Sequence, residues 1–138
     1  MSRRDSLHPP VRRALEKDGW SITDDPLILP FKDRLLKTDL GAERALAAEK
    51  AGRKIAVEIK DFDHQSPVNE LEKTLGQLQL YEWALEEIEP DRELFLAISE
   101  EVYNIHFITP LFRTAVERAA IKIVIVNREK EEILKWET

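Results

Sequence analysis

Two short runs constrain what this chain can fold into. "ELFLAIS", Glu93 to Ser99, and "IKIVIVN", Ile121 to Asn127, are almost wholly apolar. A strand with one face in water alternates apolar and polar residues, whereas a run apolar on both faces suits a strand covered on both sides. Each run follows a helical stretch. The clearest is "SPVNELEKTLGQLQLYEWALEEI", in which Ser66 is a good N-cap and Pro67 takes the first helical position. Glu70 adds negative charge in the first turn, where the helix dipole favours it. Leu71, Leu75, Leu78, Leu85 and Ile88 recur at helical spacing and are expected to face the core, and Pro90 stops the helix. "TPLFRTAVERAA" reads as another helix. Helices alternating with buried strands predict an α/β fold, a mixed central β-sheet flanked by helices.

The first half of the chain completes that sheet. A helix is expected from near Pro9 to Asp18, ended by Gly19. "WSITDDPLILPF" reads as a strand, a turn at Asp25-Pro26 and a short extended piece. Ala42 to Lys50 has helix-forming composition, but "KAGRK" is a turn signal and "KIAVEIK" has period two. A hairpin is therefore expected, with "RALAAEK" antiparallel to "RKIAVEIK" about Ala51-Gly52. "EEILKWE" closes the list as an edge strand. A length of 138 residues, with no repeat or Gly/Ser-rich linker, points to one domain over residues 1–138.

The chain has no cysteine, which excludes disulfides and thiolate metal sites and fits a reducing cytoplasm. No apolar run approaches the roughly 20 residues of a membrane span, so no membrane partner is expected. A net charge of −6 argues against coating nucleic acid by bulk attraction. A local basic surface stays open, because Arg3, Arg4, Arg12, Arg13 and Lys17 crowd the N-terminus. The plain alternative is a solvated helix face.

The candidate chemistry begins in "IAVEIK". Side chains alternate across a strand, so Ile55, Val57 and Ile59 point one way and Ala56, Glu58 and Lys60 the other. Charges at the end of a buried strand are costly unless paired or solvated. One reading has Glu58 and Lys60 mark where the strand emerges into water. The other makes them a site. Asp39 stands upstream in the preceding extended segment and approaches Glu58 if the chain turns back at Gly52. Two carboxylates at one place suit a hard cation such as magnesium, and a neighbouring lysine can stabilise an attacking hydroxide or a charged phosphate. On the long helix, Gln77 and Tyr81 are four apart and share a face that Lys73 extends. They are either helix-edge residues or reach toward Glu58. His8, His64 and His106 show no ligand spacing. Trp20, Trp83 and Trp136 read as packing rather than base-stacking residues, with Trp136 on the edge strand a candidate homo-oligomer contact.

An Asp, a gap, then Glu-X-Lys ending a hairpin strand resembles the PD-(D/E)XK nuclease superfamily, with Asp39, Glu58 and Lys60 as the matching residues. Gln77 and Tyr81 resemble a further motif of its RecB-like branch. "KDGWSITDDPL", "DLGAERALAAEKAGRKIAVEIK", "LEKTLGQLQLYEWAL", "IEPDRELFLAI" and "EKEEILKW" resemble the XisH family of cyanobacterial fdxN element excision controlling factors. That resemblance implies a restriction-endonuclease-like core and a role in DNA excision, alongside DNA, a site-specific recombinase (XisF) and a second factor (XisI). It further implies that Asp39, Glu58 and the Ile59 carbonyl hold Mg2+ or Mn2+, that Lys60 activates water, and that Gln77 and Tyr81 orient the lysine or touch a phosphate. Glu16 would aid the metal or pair with Lys60, and Glu43 is a fallback acid. Three functions stay open: an accessory excision factor, a metal-dependent endonuclease or nickase, and an interaction domain without DNA contact.

Overall fold

The computed structural model describes residues 7–36, 45–63 and 66–138. Its elements run α1 (His8–Lys17), β1 (Ser21–Asp24), β2 (Leu29–Phe31), β3 (Arg34–Leu36), β4 (Ala45–Lys50), β5 (Arg53–Ile59), α2 (Pro67–Ile88), β6 (Arg92–Ser99), α3 (Glu100–Val102), α4 (Pro110–Arg118), β7 (Ile123–Asn127) and β8 (Glu132–Glu137). A π-helical turn, Tyr103–Phe107, joins α3 to α4.

The central sheet has the order β1-β4-β5-β6-β7-β8. It is mixed: β5, β6 and β7 run parallel, and the pairs β1/β4, β4/β5 and β7/β8 are antiparallel. The two apolar runs become the inner parallel strands β6 and β7, as their composition requires. Parallel neighbours need a crossover, supplied by α2 between β5 and β6 and by α4 between β6 and β7. Strand order steps the same way twice, so two crossovers of one hand must share a face. They do: Leu71 and Leu78 of α2 pack in one cluster with Phe112 and Val116 of α4, over Leu96, Ile98, Ile123 and Ile125. The other face is covered by α1, whose Val11, Ala14 and Leu15 lie against Ile55, Val57, Ile59, Phe95 and Val124.

The expected hairpin forms at Ala51-Gly52, where φ is 51° and 83°. Positive φ at both central residues of a two-residue loop matches the right-handed twist of the strands it joins. Tertiary pairing with β5 thus overrides the local helix propensity of "RALAAEK". The N-cap of α2 is also as expected, with Ser66 Oγ accepting from the Asn69 amide at 3.2 Å.

Three details differ from expectation. The extended piece after Pro26 is a small hairpin, β2/β3, whose Leu29, Phe31 and Leu36 pack beside Leu85 of α2. Ile88 is 42% exposed, so the leucine face ends at Leu85. Helix α3 and the π-turn were not expected; Ser99 Oγ starts them by accepting from the Val102 amide at 3.2 Å. Among the described residues, no helix is long and apolar enough to cross a membrane.

Of the N-terminal basic residues, Arg3 and Arg4 lie outside the described residues, and Arg12, Arg13 and Lys17 are engaged within the fold. Arg13 bonds Glu131 at 2.7 Å, and Lys17 reaches the Lys130 carbonyl at 2.8 Å. Arg12 and His8 both reach Asp25, at 2.6 and 3.0 Å. Burial pushes the Asp25 carboxyl up, but the hydrogen bonds from Arg12 and His8 outweigh it and hold the group below its ordinary range. The folded state therefore takes up this proton less readily than the unfolded chain. The stability it contributes is complete above the ordinary carboxylate pKa of about 4 and is lost as pH falls through the lower folded value. Urea denaturation over a pH series should show a shallower acid limb for Asp25→Asn than for the wild type. Superimposable limbs would refute the assignment.

Candidate functional site

Glu58 sits inside the sheet, in register with Ala45 of β4 and Leu96 of β6. It is 0% exposed and Lys60 is 2% exposed. The reading in which this pair marks a strand emerging into water therefore fails. Lys60 Nζ lies 3.5 Å from Glu58 Oε2 and 3.9 Å from Glu70 Oε2. The lysine's own amide and the side chain of the next residue are both held. The Lys60 amide donates to the Ala97 carbonyl at 3.1 Å, continuing the parallel ladder with β6. The buried Asp61 carboxylate accepts from Arg128 Nη2 at 2.9 Å.

Helix α2 covers this face with a polar stripe. Glu70, Thr74 and Tyr81 are buried and Gln77 is half-buried, at spacings of four, three and four residues. Thr74 Oγ1 donates to the Glu70 carbonyl at 2.7 Å. Tyr81 packs against Ala47 and Ala56, whose short side chains let its ring lie close to the sheet. Gln77 Oε1 is buried and has no hydrogen-bond partner among the described residues. Gln77 and Tyr81 therefore lie on the inward face, one helix above the strand that carries Glu58. Lys73 does not extend the stripe, because it is exposed.

Glu70 joins the centre, a role that its position in the sequence does not suggest. Its place in the first turn explained it as a partner of the helix dipole, and that role hid the other. The signal was present in the period Glu70, Thr74, Gln77, Tyr81, a polar line inside a helix whose inward positions should be apolar.

Glu16 is not brought to Lys60. It lies on α1, on the opposite side of the sheet, exposed and 3.6 Å from Arg12. The side chain of Ile59 packs on that same α1 face. Asp39, Glu43 and His64 fall outside the described residues. Among the described residues no group of three or more His, Asp or Glu side chains is arranged to hold a metal. The donors that are present have suitable chemistry for a hard cation, since Glu58 and Glu70 offer carboxylate oxygens and, with Lys60, carry a formal charge of −1.

The family model described as XisH protein matches residues 1–134. The chain belongs to the XisH family. It is similar to the crystal structure of an XisH family protein from Nostoc punctiforme PCC 73102, with a TM-score of 0.89 and 36% identity over 97% of this chain and 100% of that one. It is also similar to the structure of a fdxN element excision controlling factor protein from Anabaena variabilis, with a TM-score of 0.88 and 37% identity over 97% and 99%. The mixed six-stranded sheet flanked by helices is thus the architecture of XisH structures. No curated protein matches the chain.

Proposed function

We propose that this XisH family chain is an accessory factor controlling excision of a DNA element by site-specific recombination, built on a PD-(D/E)XK endonuclease-like fold. One observation carries the reading. An acid–base set, Glu58, Lys60 and Glu70, is enclosed at the C-terminal end of a hairpin strand under a helix bearing Gln77 and Tyr81, in a chain matched end to end by an excision controlling factor. Burying such charges is costly compared with an apolar core of the same volume. That cost favours a functional role over a purely structural one.

The partners of this role are DNA, a recombinase of the XisF kind and a second factor of the XisI kind. A reporter element should be excised by that recombinase when this chain and the second factor are supplied. Excision at the same rate without this chain would sink the proposal.

A second reading, metal-dependent hydrolysis of a phosphodiester, is favoured by the two carboxylates beside one ammonium. Asp39, Glu58 and the Ile59 carbonyl would hold Mg2+ or Mn2+, which supplies Lewis-acid activation of a water. Lys60 would hold that water or stabilise the charge developing on the phosphate. Gln77 and Tyr81 would fix the lysine. Supercoiled plasmid incubated with the purified chain and magnesium decides between the readings. Nicking by the wild type, absent in Lys60→Gln, would replace the accessory role by catalysis, whereas intact plasmid together with restored excision supports the accessory role alone.

A further inference from the structure

A concave site lies on the α1 face, at the end of the sheet away from Lys60. It is a cleft of about 740 Å³, the size of a pocket for a small ligand. Trp20, Phe95 and Trp136 line it. Trp136 stands edge-on to Phe95 at 4.9 Å and is tilted against Trp20 at 5.8 Å. Trp20 and Phe95 are buried, and Trp136 is only half-buried.

Three cations rim the cleft: Lys50 at the end of β4, Arg53 at the start of β5 and Lys122 just ahead of β7. Their side chains are 42%, 59% and 38% exposed. Asp18 and Glu93 also line it. Asp18 lies 3.4 Å from Lys50, and Glu93 lies 2.8 Å from Arg53 and 3.2 Å from Lys122. Three cations against two carboxylates give these side chains a formal charge of +1, in a chain whose net charge is −6. Lys50 and Arg53 cover the Trp20 ring, and Lys122 covers Phe95. Among the described residues no cation covers Trp136.

The geometry points to this cleft as a binding site for single-stranded nucleic acid, with a base against Trp136 and its phosphates among Lys50, Arg53 and Lys122. An aromatic face beside a cationic groove is the usual means of holding a single strand. Exposed ion pairs such as those to Asp18 and Glu93 are weak enough for phosphate oxygens to replace the carboxylates. The site is separate from the Glu58–Lys60 centre in both face and end of the sheet, so it stands or falls independently of the excision role.

Fluorescence anisotropy of a labelled short oligothymidylate, titrated with the full chain across a salt series, tests it. Three phosphate contacts predict a slope of log K against log salt of about −2, at roughly 0.7 per phosphate on a single strand. Arg53→Gln and Lys122→Gln should each reduce that slope by about 0.7. Arg13→Gln, an exposed cation outside the cleft, should leave it unchanged. Trp136→Leu should weaken binding about tenfold with the slope retained. If Trp136→Leu misfolds, the two exposed cation variants still decide. No binding at low salt, a slope unmoved by Arg53→Gln and Lys122→Gln, or an equal loss from Arg13→Gln overturns the proposal, and the aromatic trio is then core under solvated ion pairs.

Discussion

Lys60→Met is expected to destabilise the fold by about 3–5 kcal/mol, the usual cost of removing one partner from a buried ion pair. The substitution keeps a long side chain of similar volume, so the loss is electrostatic rather than a cavity. Glu58 is 0% exposed and Glu70 4% exposed, and both carboxylates face the position of the lost ammonium. Neither can turn to water without moving β5 or α2. Against a total stability of roughly 5–15 kcal/mol for an ordinary domain, the loss is large. The triple variant Lys60→Met, Glu58→Leu, Glu70→Leu should recover most of it, because replacing a buried charged set by apolar groups is commonly neutral or stabilising. Urea midpoints of the two variants provide the check. Wild-type stability in Lys60→Met would show that the centre is not the charged, desolvated set described above. A stable triple variant that no longer supports excision would separate the function of the charges from any structural one.

The sequence pattern carried the inner strands and the shared face of Glu58 and Lys60, because both follow from periods of two or from uninterrupted apolar runs. It did not carry their burial. Whether a strand end meets water or a helix depends on where α2 docks, and α2 docks over Ala47 and Ala56 through Tyr81, Ala84 and Leu85, far along the chain. That Glu16 lies away from Lys60 is hidden from the sequence for a related reason. The periodicity of α1 says which of its faces is apolar, but only the two crossovers, by filling the opposite face, decide which sheet face is left for it. Glu70 had an adequate local explanation at the helix N-terminus, and a local explanation conceals a tertiary one. The turn at Tyr103–Phe107 has no side-chain cap of its own and no period long enough to register. Its apolar residues are split between a buried Phe107 and an exposed Ile105, and only packing distinguishes the two.

That turn supports the second large expected effect. Phe107→Ala should cost about 3–5 kcal/mol, as for a fully buried aromatic ring whose space cannot collapse. Phe107 is 0% exposed, and it meets Phe62 edge-on at 5.3 Å and Phe112 at 5.0 Å. Ile105→Ala, two residues away and 63% exposed, should change stability by less than about 0.5 kcal/mol. The difference reaches the candidate site through Phe62. The chain leaves the sheet at Lys60 and Asp61 and turns through Phe62, whose φ of 54° is a left-handed conformation unfavourable for a side chain of this size. Such a residue is held there at a cost of about 1–3 kcal/mol by its surroundings. Here the surroundings are the rings of Phe107 and Phe112. Removing Phe107 frees Phe62 to relax, and the relaxation pulls on Asp61 and on the Lys60 amide bonded to Ala97. Native-state hydrogen exchange should therefore accelerate more at the Lys60 amide than at amides in the middle of β5. Equal acceleration along the whole strand would mean that the aromatic trio stabilises the fold globally and does not hold the lysine in place.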